Sequence, residues 1–137
     1  MRYVFLVLLS LSLVACRPPD NADNATAAGA QSSSTNPSGL QTRLELDGDP
    51  ALGQLPLTVY VLDENGGVEG ASVEIVGDMT HAGMVPVIVE AVEGEPGLYR
   101  AEDFEFTMAG DWLITADIDL PDGGSASAET TVTVPGN

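Results

Sequence analysis

Asp111-Trp112-Leu113-Ile114-Thr115-Ala116-Asp117-Ile118-Asp119 is the stretch whose alternation decides the fold class. Trp112, Ile114, Ala116 and Ile118 point one way, and Asp111, Thr115, Asp117 and Asp119 point the other. A period of two places alternate side chains on opposite faces of a strand, here one apolar and one largely acidic. Trp112 is the expected centre of the core, as a buried tryptophan is in β-sandwiches.

The same reading extends outward. Short runs of Val, Ile, Leu and Phe recur between Gly, Pro, Asn and Asp, and predict strands near 42–47, 55–62, 71–77, 85–92, 98–106, 111–119 and 126–134. No part of this region holds a 3.6-residue period long enough for a helix. Asp63-Glu64-Asn65-Gly66-Gly67, Gly94-Glu95-Pro96-Gly97 and Pro121-Asp122-Gly123-Gly124 supply turns. In the third run Ala71, Val73 and Ile75 share a face opposite Ser72 and Glu74. In the fifth, Tyr99 and Ala101 oppose Arg100 and Glu102, but Phe104 and Phe106 then fall in phase with the charged pair. One inserted residue, a bulge near Asp103, would return the phenylalanines to the core. The expectation is an all-β antiparallel sandwich of about seven strands over residues 42–134, followed by a tail at 135–137.

What precedes this domain reads as export and tethering. Met1-Arg2 is a short positive start, and Tyr3 to Val14 is an apolar run too short for a permanent anchor. Leu13-Val14-Ala15-Cys16 resembles the bacterial lipobox. That resemblance implies a signal peptide over 1–15, cleavage before Cys16, and diacylglycerol on the Cys16 sulfur. Each buried methylene of such chains adds about 0.8 kcal/mol, so several chains hold a protein at a membrane. Cys16 is the one cysteine, so an intrachain disulfide is excluded. The same resemblance, in which aspartate after the cysteine would imply retention at the inner membrane, leans with Arg17 there towards the outer membrane and a periplasm-facing domain. From Arg17 to Gln41 the chain is mainly Asn, Ala, Ser, Thr, Pro, Gly and Asp, with Leu40 its one large apolar residue. This composition predicts a flexible tether over 16–41.

Gly77-Asp78-Met79-Thr80-His81-Ala82-Gly83-Met84 holds the sole histidine, and with Phe106-Thr107-Met108-Ala109-Gly110-Asp111-Trp112 it holds every methionine but the first. Thioether and imidazole donors suit Cu(I) far better than Mg²⁺ or Ca²⁺. Methionine is also a common filler of irregular core gaps, and Met79 and Met108 each continue the phase of apolar neighbours. Met84 and His81 sit in the connection itself and have no such packing explanation. If every strand reverses direction, the connections at 47–54, 78–84 and 107–110 share one end of the sandwich. Met79, His81, Met84 and Met108 are then the candidate ligands of one copper(I) ion, with Asp78 and Asp111 raising the local cation concentration.

The run of features Gly70-Ala71-Ser72-Val73, Met79-Thr80-His81-Ala82-Gly83-Met84, Gly97-Leu98-Tyr99, Phe106-Thr107-Met108 and Gly110-Asp111-Trp112 resembles the YtkA-like domain, related to FixH-like proteins, over roughly residues 43–134. The resemblance implies an immunoglobulin-like sandwich on the outer side of a bacterial membrane. It also implies a link to copper supply or haem–copper oxidase assembly, as for some members of the family. The family's first segment commonly reads Met-Pro with further Met and His, whereas Thr80 follows Met79 here and one histidine follows.

Charge narrows the partners. Four arginines, Arg2, Arg17, Arg43 and Arg100, stand against 21 acidic residues, giving a formal net charge of -17 and no lysine. Nucleic acid and anionic headgroups are repelled by such a surface, while cations and cationic partners are attracted. Asp117, Asp119 and Asp122, and separately Asp47 and Asp49, are carboxylate groupings without the spacing of an EF-hand loop. Nothing supplies a nucleophile with a base beside it, so the chain reads as a non-enzyme. Two functions follow: a lipid-anchored copper-handling accessory protein, or a metal-free interaction module for another envelope protein. For the anchor, replacing Cys16 by Ser is expected to abolish incorporation of a metabolic fatty-acid label; label retained by that variant would exclude lipid on Cys16.

Overall fold

Strand follows strand without a helix in the computed structural model, which describes residues 31–35, 39–80 and 83–136. They are β1 (Gln31–Thr35), β2 (Gln41–Leu46), β3 (Gly53–Gln54), β4 (Leu57–Asp63), β5 (Gly66–Gly67), β6 (Ser72–Met79), β7 (Val87–Glu95), β8 (Leu98–Ala101), β9 (Glu105–Phe106), β10 (Gly110–Asp119) and β11 (Ser125–Val134). All pairings are antiparallel.

Two sheets share one strand. β2, β4 and β8 are neighbours in the first, which ends on the second half of β7, from Val92 to Glu95. The first half of β7, Val87 to Ala91, pairs instead with β6, and β10 and β11 follow. Leaving β1 aside, these are the two strand orders of a constant-type immunoglobulin domain, with β7 crossing between them. The far ends also meet. Thr42 Oγ1 of β2 donates to the Ser127 carbonyl of β11 at 3.3 Å, so the sandwich curls towards a barrel.

The core follows the alternation. Trp112, Ile114, Ala116 and Ile118 of β10 are buried, with Val73 and Ile75 of β6, Leu44 of β2, Val59 and Val61 of β4, and Tyr99 and Ala101 of β8. At its centre Phe106 stands edge-on to both neighbours, with ring centroids 5.2 Å from Phe104 and 5.3 Å from Trp112. Such pairs contribute about 0.5–1.5 kcal/mol each beyond the area they bury. Gly77 makes room for them: a Cβ on it would lie 2.5 Å from Phe104 Cζ.

Three expectations need correction. The tether was expected to run to Gln41, yet Gln31–Thr35 forms β1, in register with β2 from Gln31↔Glu45 to Thr35↔Gln41, and Leu40 is buried. Pairing at a sheet edge uses main-chain groups, so a serine-rich segment can join it without apolar side chains. Met108 was expected to continue the phase of Phe104 and Phe106, but it is 52% exposed while they are buried. β9 stops at Phe106, and alternation has no force beyond the end of a strand. The phase change near Asp103 is real, but a turn at 102–103 produces it by passing the chain from β8 to β9. The expected signal peptide and Cys16 lie outside the described residues.

Tyr99 fastens the connection between β5 and β6. Its hydroxyl donates to the Val68 carbonyl at 2.8 Å and accepts from the Ala71 amide at 3.0 Å. Burial, the largest cause, pushes the phenol above its ordinary value, and the Glu93 carboxylate adds to the rise. A raised phenol pKa means that the fold favours the protonated ring. The stabilisation is therefore complete below the unfolded value of about 10 and is lost as pH rises through the higher folded value. Tyr99→Phe is expected to cost about 1–3 kcal/mol at neutral pH by orphaning both main-chain groups. It should also flatten the loss of stability above pH ~10 in denaturant titrations; an unchanged alkaline slope would assign that loss to other groups.

Candidate functional site

The end of the sandwich that carries the methionines is built by three connections. β6 ends at Met79 and β10 begins at Gly110, with Met79 opposite Trp112 in register. One residue further, the Thr80 amide donates to the Asp111 carbonyl at 3.1 Å, and Thr80 Oγ1 reaches the same oxygen at 3.4 Å. Trp112 Nε1–H donates to the Met108 carbonyl at 3.0 Å, which fixes the 107–110 connection over the core. The third connection arrives through β3, where Gly53 pairs with Phe106 and Gln54 with Glu105. Gln54 Nε2 also donates to Asp103 Oδ1 at 3.0 Å and the Glu102 carbonyl at 3.2 Å. The connections at 47–54 and 107–110 thus share one end with the close of β6 at 79–80, as strand parity requires.

The predicted ligands occupy this end unequally. Met79 and Met84 are half-buried and packed against the core, so both serve partly as the filler that methionine often is. Met108 faces solvent, and His81 lies outside the described residues. Met79 reaches across to β10: a Cβ on Gly110 would meet its Cε at 2.6 Å, and Gly110 has a φ of +136°. Gly110 is therefore required as glycine by its backbone conformation, and a Cβ there would push aside the flexible end of Met79.

The nearby charges are partly committed. Asp111 Oδ1 accepts from Thr133 Oγ1 at 2.6 Å, so that carboxylate is tied to β11, while Asp78 is exposed. The remaining carboxylate groupings act locally. Asp47 accepts from Thr58 Oγ1 at 3.0 Å and is ion-paired with Arg100, which also holds Glu102. The hydrogen bond that Arg100 donates to Glu102 raises its guanidinium above the ordinary value, with Asp47 adding to it. Asp122 Oδ1 accepts the Gly124 amide at 2.9 Å and closes its turn, as Asp63 does for Asn65 and Gly66. Among the described residues, no three or more His, Cys, Asp or Glu side chains gather as a metal site.

A feature that sequence reasoning missed lies elsewhere. Leu40, Val68, Leu120 and Pro121, with Asp63 and Asp122, line a cavity of about 360 Å³. Its walls come from three separate connections and the end of β4, and the one trace of it in the sequence is Leu40, a lone large apolar residue in a polar run.

A two-sheet antiparallel sandwich of immunoglobulin order, with thioether-bearing connections gathered at one end, is the class defined by this fold and this site. A family model described as YtkA-like matches residues 35–117, more than half of the chain. The chain belongs to the YtkA-like family. Comparison with curated protein sequences finds no match. The matched stretch begins at the last residue of β1 and ends inside β10, earlier at both ends than the 43–134 that the residue resemblance spans.

Gly110→Ala tests the packing at this end. A methyl at a φ of +136° and 2.6 Å from Met79 Cε is expected to lower stability by about 1–3 kcal/mol. Combining it with Met79→Ala should recover part of that loss in chemical unfolding; no recovery would assign the whole effect to the backbone.

Proposed function

We propose that this YtkA-like domain is held at the outer face of a bacterial membrane by lipid on Cys16 and carries Cu(I) as cargo. It would act as a non-catalytic accessory in copper supply or haem–copper oxidase assembly. The carrying observation is the meeting of the 78–84 and 107–111 connections through the Thr80–Asp111 main-chain bond of 3.1 Å. It brings Met79 beside the connection that bears Met108.

Met79, Met84 and Met108 offer three thioethers and His81 an imidazole, a donor set that fits Cu(I) and is poor for hard cations. Zn²⁺ would ask for thiolate, imidazole or carboxylate in place of the thioethers. A half-buried Met79 and Met84 beside an exposed Met108 suit an ion that is taken on and passed on, since the donors are reachable from solvent. Protonation of His81 removes a lone pair, so uptake should weaken as pH falls through the imidazole range.

The second reading, a metal-free interaction module, is favoured by Val85, which is 83% exposed in the same connection as Met84. Competition with a chromophoric Cu(I) chelator separates the two. The parent is expected to hold Cu(I), and Met79→Leu/His81→Ala/Met84→Leu to lose affinity by a factor of about 10 or more. Equal retention by both proteins would show that this end does not bind copper and would leave the interaction module as the function.

A further inference from the structure

We propose that the free edge of β7 over Val87–Ala91 receives an extended basic segment of a partner protein by strand addition. β7 spends its two edges in different places. One edge pairs with β6 from Val87 to Ala91, and the opposite edge pairs with β8 only from Val92 onward. β8 ends at Ala101, and the chain turns away at 102–103. Among the described residues no strand therefore faces the second edge of Val87–Ala91. Alternate main-chain N–H and C=O groups of that segment point outward, the template on which an added strand forms.

A groove of about 460 Å³ opens at this place, with Val89 and Val92 in its lining and Glu90, Glu102 and Asp103 around them. Natural edges are usually guarded by lysine, by an internal bulge or by inward charge. Here the register shift comes later, between Glu93 and Glu95, and the outer face carries Ile88, 60% exposed, and Val92, 72% exposed.

Charge selects the occupant. Glu90 stands directly opposite Glu74 on β6, and Glu74 directly opposite Asp117 on β10, so three carboxylates form one row across three strands. Like charges at directly opposed positions repel. The arginine of the groove, Arg100, is already ion-paired with Asp47 and Glu102 and leaves this row uncompensated. An added strand would set alternate side chains beside Ile88 and Glu90 on the outer face, and beside Val87, Val89 and Ala91 on the inner. Lysine or arginine fits the first set, next to Glu90. An aliphatic side chain fits the second, where it would cover the half-buried flank of the core. A second copy of this chain, bearing a formal net charge of -17, is the wrong occupant for the same edge. The surface is distinct from the methionine end and does not depend on copper.

The test uses the full chain and a fluorescent octapeptide of alternating lysine and valine, with a glutamate–valine peptide as control. Saturable binding is expected for the first peptide alone, with added amide-exchange protection in Val87–Ala91. Glu90→Lys is expected to weaken it by about tenfold, while Glu129→Lys, the same charge change on β11, should leave affinity within about twofold. Glu90 is exposed, and retention of the parent's circular dichroism and Cu(I) behaviour by Glu90→Lys would show that the fold survives. Equal weakening by the two reversals would reveal attraction to net charge alone and overturn the proposal. So would protection appearing elsewhere, or sedimentation of the chain as a dimer that buries β7.

Discussion

The indole of Trp112 is the group on which the rest of the structure leans. It lies wholly inside, stands edge-to-face with Phe106, and gives its one hydrogen bond to the Met108 carbonyl. The same residue is in register with Met79 on β6. One side chain thus ties the core to the 107–110 connection and to the end of β6. A buried indole N–H without a partner would cost about 1–3 kcal/mol, so the 107–110 connection is held by necessity and not by its own propensity. Gly77 completes the arrangement, because any larger residue would occupy the space of the Phe104 ring that packs on Phe106.

Fold class was legible because alternation is a local property with a tertiary meaning. Asp111–Asp119 and Ala71–Ile75 each declare a buried and an exposed face, and the structure places each where its pattern requires. Connections were legible only through parity. That was enough to bring 107–110 and 47–54 to one end with the close of β6, and too little to set Met108 outward. β1 was illegible for a different reason. A serine-rich edge strand is specified by the free main-chain groups of β2 and not by its own side chains, so hydrophobic patterning has nothing to register. The crossing of β7 was hidden likewise, since Val87–Glu95 reads as one strand and nothing in it announces two partners.

Electrostatics divides the molecule differently from its sheets. Arg43 and Arg100 each serve nearby carboxylates, Arg43 with Glu45 and Arg100 with Asp47 and Glu102, and Arg43 also lies 5.5 Å over the ring of Tyr60. Among the described residues all three ion pairs involve the β2–β4–β8 side, and none reaches the acidic rows of the β6–β10 side. Both arginines of the described residues therefore lie on one side of the domain, while every charged side chain on β6, β10 and β11 is acidic. Such asymmetry orients a charged molecule as it approaches a cation or a cationic surface before any contact is made.

The strand shared by both sheets has a mechanical consequence. In an ordinary sandwich the two sheets touch through side chains alone, and a small sideways slip costs only repacking. Here β7 is hydrogen-bonded to β6 along its first half and to β8 along its second, so slip on that flank must break main-chain bonds. On the opposite flank Thr42 reaches Ser127 and ties β2 to β11. Sideways slip of one sheet over the other is therefore opposed by main-chain bonds on the β7 flank and by a side-chain hydrogen bond on the other.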